Sequence, residues 1–213
     1  MSCAFDLGHY RELLEAAHAG GYRFSYFDHE PEAGDLLLRH DVDLSLAAAV
    51  EIAEVEAEAD AVATYFLMTR SEFYNLDAPS GAGAVERLRR LGHRVGLHAV
   101  YPEAEHDPRF DAVLAWHNPD PGFMTAPVDG LVNVMSPPWF DPEHYRSDSN
   151  QHWRHGDPTA ALAAREFEWL QLLTHPEIWA YDGATMRETM ESMLSAARDE
   201  RWSQLERDRI DLS

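Results

Sequence analysis

The chain has 213 residues, enough for one domain with a sizeable core, and its 45% hydrophobic content is typical of a globular protein. It contains no lysine, and its formal net charge is −21. Such an acidic surface argues against nucleic acid, an anionic membrane or a polyanionic substrate as partner, unless the site itself is locally basic. Solubility, adaptation to salt or the codon bias of a GC-rich genome explains the charge most simply.

The N-terminus and the cysteine content predict a soluble cytoplasmic protein. Cys3 is the only cysteine, so no disulfide can form within the chain. The first residues lack the basic and apolar regions of a signal peptide, and no window is apolar over the length of a transmembrane helix. Because the sequence has no repeat and no clear interdomain linker, we expect a single domain over residues 1–213.

Apolar spacing predicts helices that alternate with short strands along most of the chain. The predicted helices cover 7–20, 46–59, 84–91, 159–168 and 184–207. The predicted strands cover 22–27, 35–40, 63–68, 94–98, 112–117, 131–135 and 169–174. The side chains of the last helix that we expect to face the core are Met186, Met190, Met193, Leu194 and Ala197. Strands that alternate with helices favour parallel βαβ units, and therefore an α/β fold.

The predicted strand at 35–40 ends in an unusual group of charged residues, Arg39, His40, Asp41 and Asp43. Burying a carboxylate is unfavourable unless it is paired or bound to a metal. Asp41 and Asp43 are two residues apart, so on a strand both point into one space at its carboxyl end, where α/β folds place active sites. An acidic loop that merely follows a strand is the alternative interpretation.

Three further apolar runs end in a histidine, at His98, His117 and His175. If the strands are parallel, these strand ends lie together at one edge of the sheet. A carboxylate with two histidines is a ligand set for a catalytic divalent metal that keeps a position open for water. The second carboxylate is then free to act as a base. For any single histidine, a structural hydrogen bond at the strand end is the alternative.

Taken in order, these residues resemble the polysaccharide deacetylase superfamily, of the NodB-homology or carbohydrate esterase family 4 type. The blocks that carry the resemblance are Arg39-His40-Asp41-Val42-Asp43, Gly92 to His98, Trp116-His117-Asn118-Pro119, Tyr145 to Ser149 and Leu172-Leu173-Thr174-His175-Pro176. The resemblance runs from about residue 35 to 180. It implies a distorted (β/α) barrel with about seven parallel strands, on which the N- and C-terminal helices pack.

The resemblance also implies a metal-dependent hydrolase that deacetylates an N-acylated sugar or a glycan precursor by means of a metal-activated water. Asp41 corresponds to the family's base, Asp43 and His98 to metal ligands, and His175 to the general acid. Zinc is the first expectation for the metal, and cobalt, nickel and manganese are alternatives. The missing signal peptide favours a small intracellular carbohydrate substrate over mature cell wall.

Two departures from the family pattern leave parts of the site open. Pro102 stands where the second motif has another histidine, so the third ligand is unassigned, and His117 is our candidate. The third motif commonly has Arg-x-Pro, where this chain has His117-Asn118-Pro119, so His117 could instead hold the base in place. Which of Asp41 and Asp43 binds the metal also stays open.

Five residues are candidates for contacts to the substrate or to the catalytic groups: Arg39, His40, Asn118, Asp148 and Trp153. Each has a plainer alternative, such as a strand-end ion pair for Arg39, a turn for Asp148 or loop packing for Trp153.

Two other functions also stay open. One is a catalytically degenerate member of the same fold that binds a glycan or a partner. The other is a different amidohydrolase, for which two metals 3.5–4 Å apart would be expected.

Overall fold

A computed structural model gives the structure of the chain and describes residues 5–104 and 106–210, so Cys3 lies outside the described residues. The helices are α1 (Leu7–Ala19), α2 (Leu46–Glu58), α3 (Pro79–Arg90), α4 (Thr159–Ala163), α5 (Pro176–Ala180) and α6 (Met186–Arg207). The strands are β1 (Arg23–Phe24), β2 (Asp35–Val42), β3 (Ala63–Leu67), β4 (Arg94–Ala99), β5 (Val113–Trp116), β6 (Val132–Asn133), β7 (Tyr145–Ser147) and β8 (Leu170–Thr174). Within the described ranges, none of the helices has the length and apolar character of a membrane span.

The strands form one curled parallel sheet in the order β6-β5-β4-β3-β2-β8-β7. The two-residue strand β1 pairs with the start of β2 beside this path. Over the described residues, the path of paired strands ends at β6 on one side and at β7 on the other. The predicted α/β class is therefore confirmed, and so is the number of seven parallel strands, although this path includes β7, which was not predicted, and leaves β1 beside it. The sheet forms a half-barrel, where the resemblance implied a full barrel.

Strand β2 lies in the interior of the sheet, between β3 and β8, and all eight of its residues are buried. Alternate residues point to opposite faces. On the outer face, Leu36, Leu38 and Val42 join the large core formed with the helices. On the inner face, Leu37 packs in a smaller cluster whose other buried members are Phe27, Phe66, Ala115 and Val134. Arg39 and Asp41 follow Leu37 on this inner face, which is therefore apolar at its centre and charged at its carboxyl end.

A side chain on β8 links the two sides of the half-barrel. Gln171 is fully buried, and its Nε2 donates hydrogen bonds to the carbonyl oxygens of Val134 at 3.0 Å and Trp139 at 2.8 Å. Its Oε1 accepts a hydrogen bond from Arg39 Nη1 at 3.3 Å. The segment that follows β6 is thus held against β8 by one amide group rather than by further strand pairing.

The structure also departs from the sequence-based expectation in four elements. The predicted helix at 159–168 ends at Ala163, and Arg165 has a positive φ of 56°. Strand β7 and helix α5 were not predicted. The expected core face of α6 is wrong beyond Met193, because Leu194 is 54% exposed and every later described residue is exposed.

Two glycine substitutions test the packing of the inner face. A Cβ on Gly96 would lie 2.7 Å from Val113 Cγ2 and 2.8 Å from Phe66 Cε1, so Gly96→Ala should destabilise the protein by about 2 kcal/mol through overpacking. Gly83 is exposed in α3 and its added Cβ would meet nothing within 4 Å, so Gly83→Ala should stabilise by about 0.5–1 kcal/mol. Urea unfolding measures both changes; equal stability of the two variants would contradict the packing of Phe66 against β4.

Candidate metal centre and catalytic groups

Four parallel strands bring the predicted site residues to one edge of the sheet. Asp41 lies in β2, and Asp43 follows that strand directly. His98 lies near the end of β4, His117 follows β5, and His175 follows β8. The carboxyl ends of parallel strands share one edge, which explains why residues far apart in sequence meet here.

Asp43, His98 and His117 form a compact triangle of ligand atoms. Asp43 Oδ1 lies 3.1 Å from His98 Nε2 and 3.2 Å from His117 Nδ1. The two imidazole nitrogens are 3.1 Å apart. A triangle with these edges leaves room for an ion about 2.1 Å from each atom, which is the distance at which zinc binds imidazole nitrogen and carboxylate oxygen. The three residues can therefore hold a divalent metal.

The hydrogen bonds around the triangle also favour a cation. His98 Nδ1 lies 3.0 Å from the carbonyl oxygen of Ala115, so this nitrogen must donate, and the lone pair of Nε2 faces Asp43 in the neutral ring. Asp43 Oδ1 is buried, and among the described residues it has no hydrogen-bond partner beyond its contacts with the imidazole nitrogens of His98 and His117. Burial by itself raises the pKa of Asp43, but the facing imidazoles of His117 and His98 outweigh it and hold that pKa well below its usual range.

Asn118 supports the third ligand. Its Nδ2 lies 3.2 Å from His117 Nε2, the ring nitrogen that points away from Asp43. Asn118 has a positive φ of 41°, which asparagine tolerates better than most residues. The structure thus places His117 with the metal-ligand group, where the sequence left two roles open, and it places Asn118 behind it.

Asp41 is held by Arg39 rather than by the triangle. Arg39 Nε donates to Asp41 Oδ1 at 2.8 Å, and Nη2 donates to Oδ2 at 2.7 Å, in a bidentate pair. Both side chains are nearly inaccessible to solvent. Burial by itself raises the pKa of Asp41, but the Arg39 charge lowers it by more than burial raises it, so the net shift is downward and the carboxylate stays ionised. Asp41 Oδ2 lies 3.9 Å from His98 Nε2, at the margin of the candidate metal centre.

His175 is held by a buried carboxylate. Its Nδ1 lies 2.6 Å from Asp148 Oδ1, and its backbone N–H donates to Asp148 Oδ2 at 3.0 Å. Trp179 Nε1 also donates to Asp148 Oδ2, at 2.7 Å. Burial alone lowers the pKa of His175, but the charge of Asp148 outweighs it and raises the pKa to about 10. His175 is therefore protonated at neutral pH, and Asp148 engages its Nδ1, which leaves Nε2 as the other ring nitrogen.

His40 and Trp153, the other two predicted residues, lie away from the edge of the sheet that carries the candidate site. His40 is completely buried on the outer face, with Nε2 2.7 Å from Glu56 Oε1 and Nδ1 2.7 Å from Thr174 Oγ1. Trp153 is only 6% exposed, and its ring lies 6.1 Å from that of Phe5. Trp153 therefore has no free ring face for stacking on a sugar, and His40 is a structural residue beneath Arg39 and Asp41.

A cavity of about 160 Å³ opens beside His98, between the segments that follow β3 and β4. Its lining includes Met68, Thr69, Val100 and Glu103. The cavity therefore brings apolar and polar groups together next to a candidate metal ligand.

Sequence reasoning missed Glu177, a buried carboxyl group on α5. Its side chain is 1% exposed, and Oε2 has no hydrogen-bond partner. Burial raises the pKa of Glu177 to about 8, and the charge of His175 offsets only part of that effect. The one available signal was its position two residues after His175.

Comparison of the chain with models of protein families, with curated proteins and with solved structures gives no match in any of the three. The functional interpretation therefore rests on the side chains at this edge of the sheet.

The raised pKa of Glu177 predicts how stability changes with pH. Between its ordinary value of 4.5 and about 8, the native state keeps a proton that the unfolded chain has released. The free energy of unfolding therefore falls with rising pH by up to about 1.4 kcal/mol per unit from this group. Glu177→Gln cannot titrate, so its stability advantage over the parent should grow from about pH 5 to pH 8 and then level off.

Urea unfolding across this pH range measures the difference between the two proteins. The same change at an exposed glutamate, Glu72→Gln, is the matched control and should leave the pH dependence of stability unchanged. The contribution of His175 is common to all three proteins and cancels to first order. Parallel curves for Glu177→Gln and the parent would contradict a buried, protonated carboxyl group.

Proposed function

We propose that this protein is a divalent-metal hydrolase that removes the acyl group from an N-acylated sugar or a glycan precursor. The main support is the convergence of Asp43, His98 and His117 on one point, with the pairs Arg39–Asp41 and Asp148–His175 at the same edge of the sheet. The substrate class follows from the resemblance in the sequence motifs, and the type of reaction follows from the chemistry of the side chains.

Asp43, His98 and His117 would hold the metal, because their three ligand atoms converge and Asp43 Oδ1 is otherwise unpartnered. Two imidazoles and one carboxylate suit zinc and also cobalt, nickel or manganese. When bound, a divalent ion supplies Lewis acidity toward a water molecule and toward the amide carbonyl of the substrate.

Two residues outside the triangle are suited to move protons. Asp41 is ionised and fixed by two hydrogen bonds from Arg39, so it can accept the proton of the attacking water without changing its orientation. His175 carries a proton at neutral pH and can donate it from Nε2 to the amine nitrogen as the carbon–nitrogen bond breaks. Asp148 stabilises the protonated imidazole and fixes which ring nitrogen faces the substrate.

The two alternatives are less well supported. Among the described residues, the structure has one group of three that could hold a metal, where an amidohydrolase with two metals would need ligands for a second ion. A degenerate binding protein would not need three convergent ligands together with a separately paired base and acid. The complete set therefore favours a catalyst with a single metal ion.

Metal binding tests the first step of the proposal. The purified protein, loaded with zinc or cobalt, should bind about one equivalent by mass spectrometry and calorimetry. Asp43→Ala/His98→Ala should lose this binding, because it removes two of three ligands. Asp28→Ala/His152→Ala is the matched control at exposed positions and should bind normally. A parent protein that binds no added metal would overturn the proposal.

Acetate release from a panel of N-acetylated amino sugars tests the chemistry. His175→Gln and Asp41→Asn should each lower kcat by about 100-fold or more while the bound metal is retained. Asp41→Asn leaves Arg39 without an ionic partner, so its fold is checked by circular dichroism, and His175→Gln carries the test if it unfolds. Activity equal to the parent in His175→Gln would exclude His175 as the acid.

A further inference from the structure

The last half of α6 is unusual because no other part of the described chain covers its side chains. Every residue from 194 to 210, here called the distal segment, is exposed. The described chain has seven exposed large apolar side chains, and four of them lie in this segment: Leu194, Trp202, Leu205 and Ile210. An isolated helix of this length is marginal in water, so a covering partner would stabilise it.

The distal segment also differs from the rest of the chain in charge. It contains four arginines and four acidic residues, so its net charge is zero, and the remainder of the chain carries the whole formal charge of −21. Two copies of this protein repel one another over most of their surface. The distal segment is an exposed apolar stretch where a second copy can approach without that repulsion.

The side chains of the distal segment are arranged so that they complement a second copy of themselves. Leu194, Arg198, Trp202 and Glu206 are spaced four residues apart and form one ridge on the helix surface. Four residues before Trp202 the ridge carries the positive Arg198, and four residues after it the ridge carries the negative Glu206. A two-fold axis at Trp202 therefore brings each Arg198 opposite Glu206 of the second copy.

We propose that the protein forms a homodimer in which two distal segments pack antiparallel about a two-fold axis at Trp202. The two tryptophans meet at the centre, with an Arg198–Glu206 pair on each side. Leu194 then lies near the C-terminal end of the other helix, where Leu205 and Ile210 are exposed. This interface does not depend on the proposed function.

The length of the helix is compatible with this arrangement. Leu194 is eight residues from Trp202, so at 1.5 Å per residue the points where the two helices leave their bodies are about 24 Å apart. That separation is roughly three Debye lengths at physiological ionic strength, so the acidic bodies repel one another only weakly. Because the interface is a single pair of helices, we expect a weak dimer, with a dissociation constant on the order of 10 µM.

Sedimentation equilibrium of the full chain, from about 1 to 200 µM with reductant to keep Cys3 from linking two copies, measures the association. Trp202→Ser should weaken it by about tenfold or more. Arg198→Glu and Glu206→Arg should each weaken it by about tenfold, and the double variant Arg198→Glu/Glu206→Arg should restore it to within about threefold. These side chains are exposed, so the variants leave the core intact, and circular dichroism checks the helix.

Arg207→Glu is the matched control, because it makes the same change of charge on the opposite side of the helix. It should leave the dissociation constant within about threefold of the parent. A parent protein that stays monomeric over the whole range would overturn the proposal, as would a dimer that Trp202→Ser does not weaken. Failure of the double variant to recover would overturn the predicted Arg198–Glu206 register.

Discussion

The structure depends on how two carboxylates are accommodated at the buried end of one central strand. Asp41 is neutralised by Arg39, which is itself only 1% exposed and is fixed further by Gln171. Asp43 has no such cation and faces two imidazoles instead. A buried charge persists only when it is paired or bound, so the two positions have different requirements. Arg39 meets the requirement of Asp41 within the chain, whereas a bound metal would best meet the requirement of Asp43.

The outer face of the same strand is fixed by a second buried network. Glu56 on α2 accepts hydrogen bonds from the hydroxyl groups of Tyr10 and Tyr65, each at 2.6 Å, and contacts His40. This carboxylate ties together α1, α2, β2 and β3, and His40 extends the network to Thr174 on β8. Residues 39 to 41 are thus held from both sides of the sheet, so Arg39 and Asp41 can keep their geometry without help from a ligand.

The sequence predicted the strands that carry the site because each is a short apolar run, and parallel pairing then brings their ends together. It could not predict contacts that depend on the tertiary fold. Asp148 reaches His175 across 27 residues, from the end of a three-residue strand with no clear periodicity. Gln171 is hidden within an apolar run, although it replaces strand pairing across the half-barrel. The core face of α6 was wrong because helical periodicity cannot show where a helix leaves the body.

Helix α5 connects the candidate site to α6 although it has only five residues. It packs against α2, the end of β2 and α6, and its Trp179 donates the hydrogen bond that helps fix Asp148. The α6 helix begins with a capping box at Thr185 and Glu188, which fixes its start close to α5. The position of His175 therefore depends on how α5 is held between α2 and α6 as well as on β8.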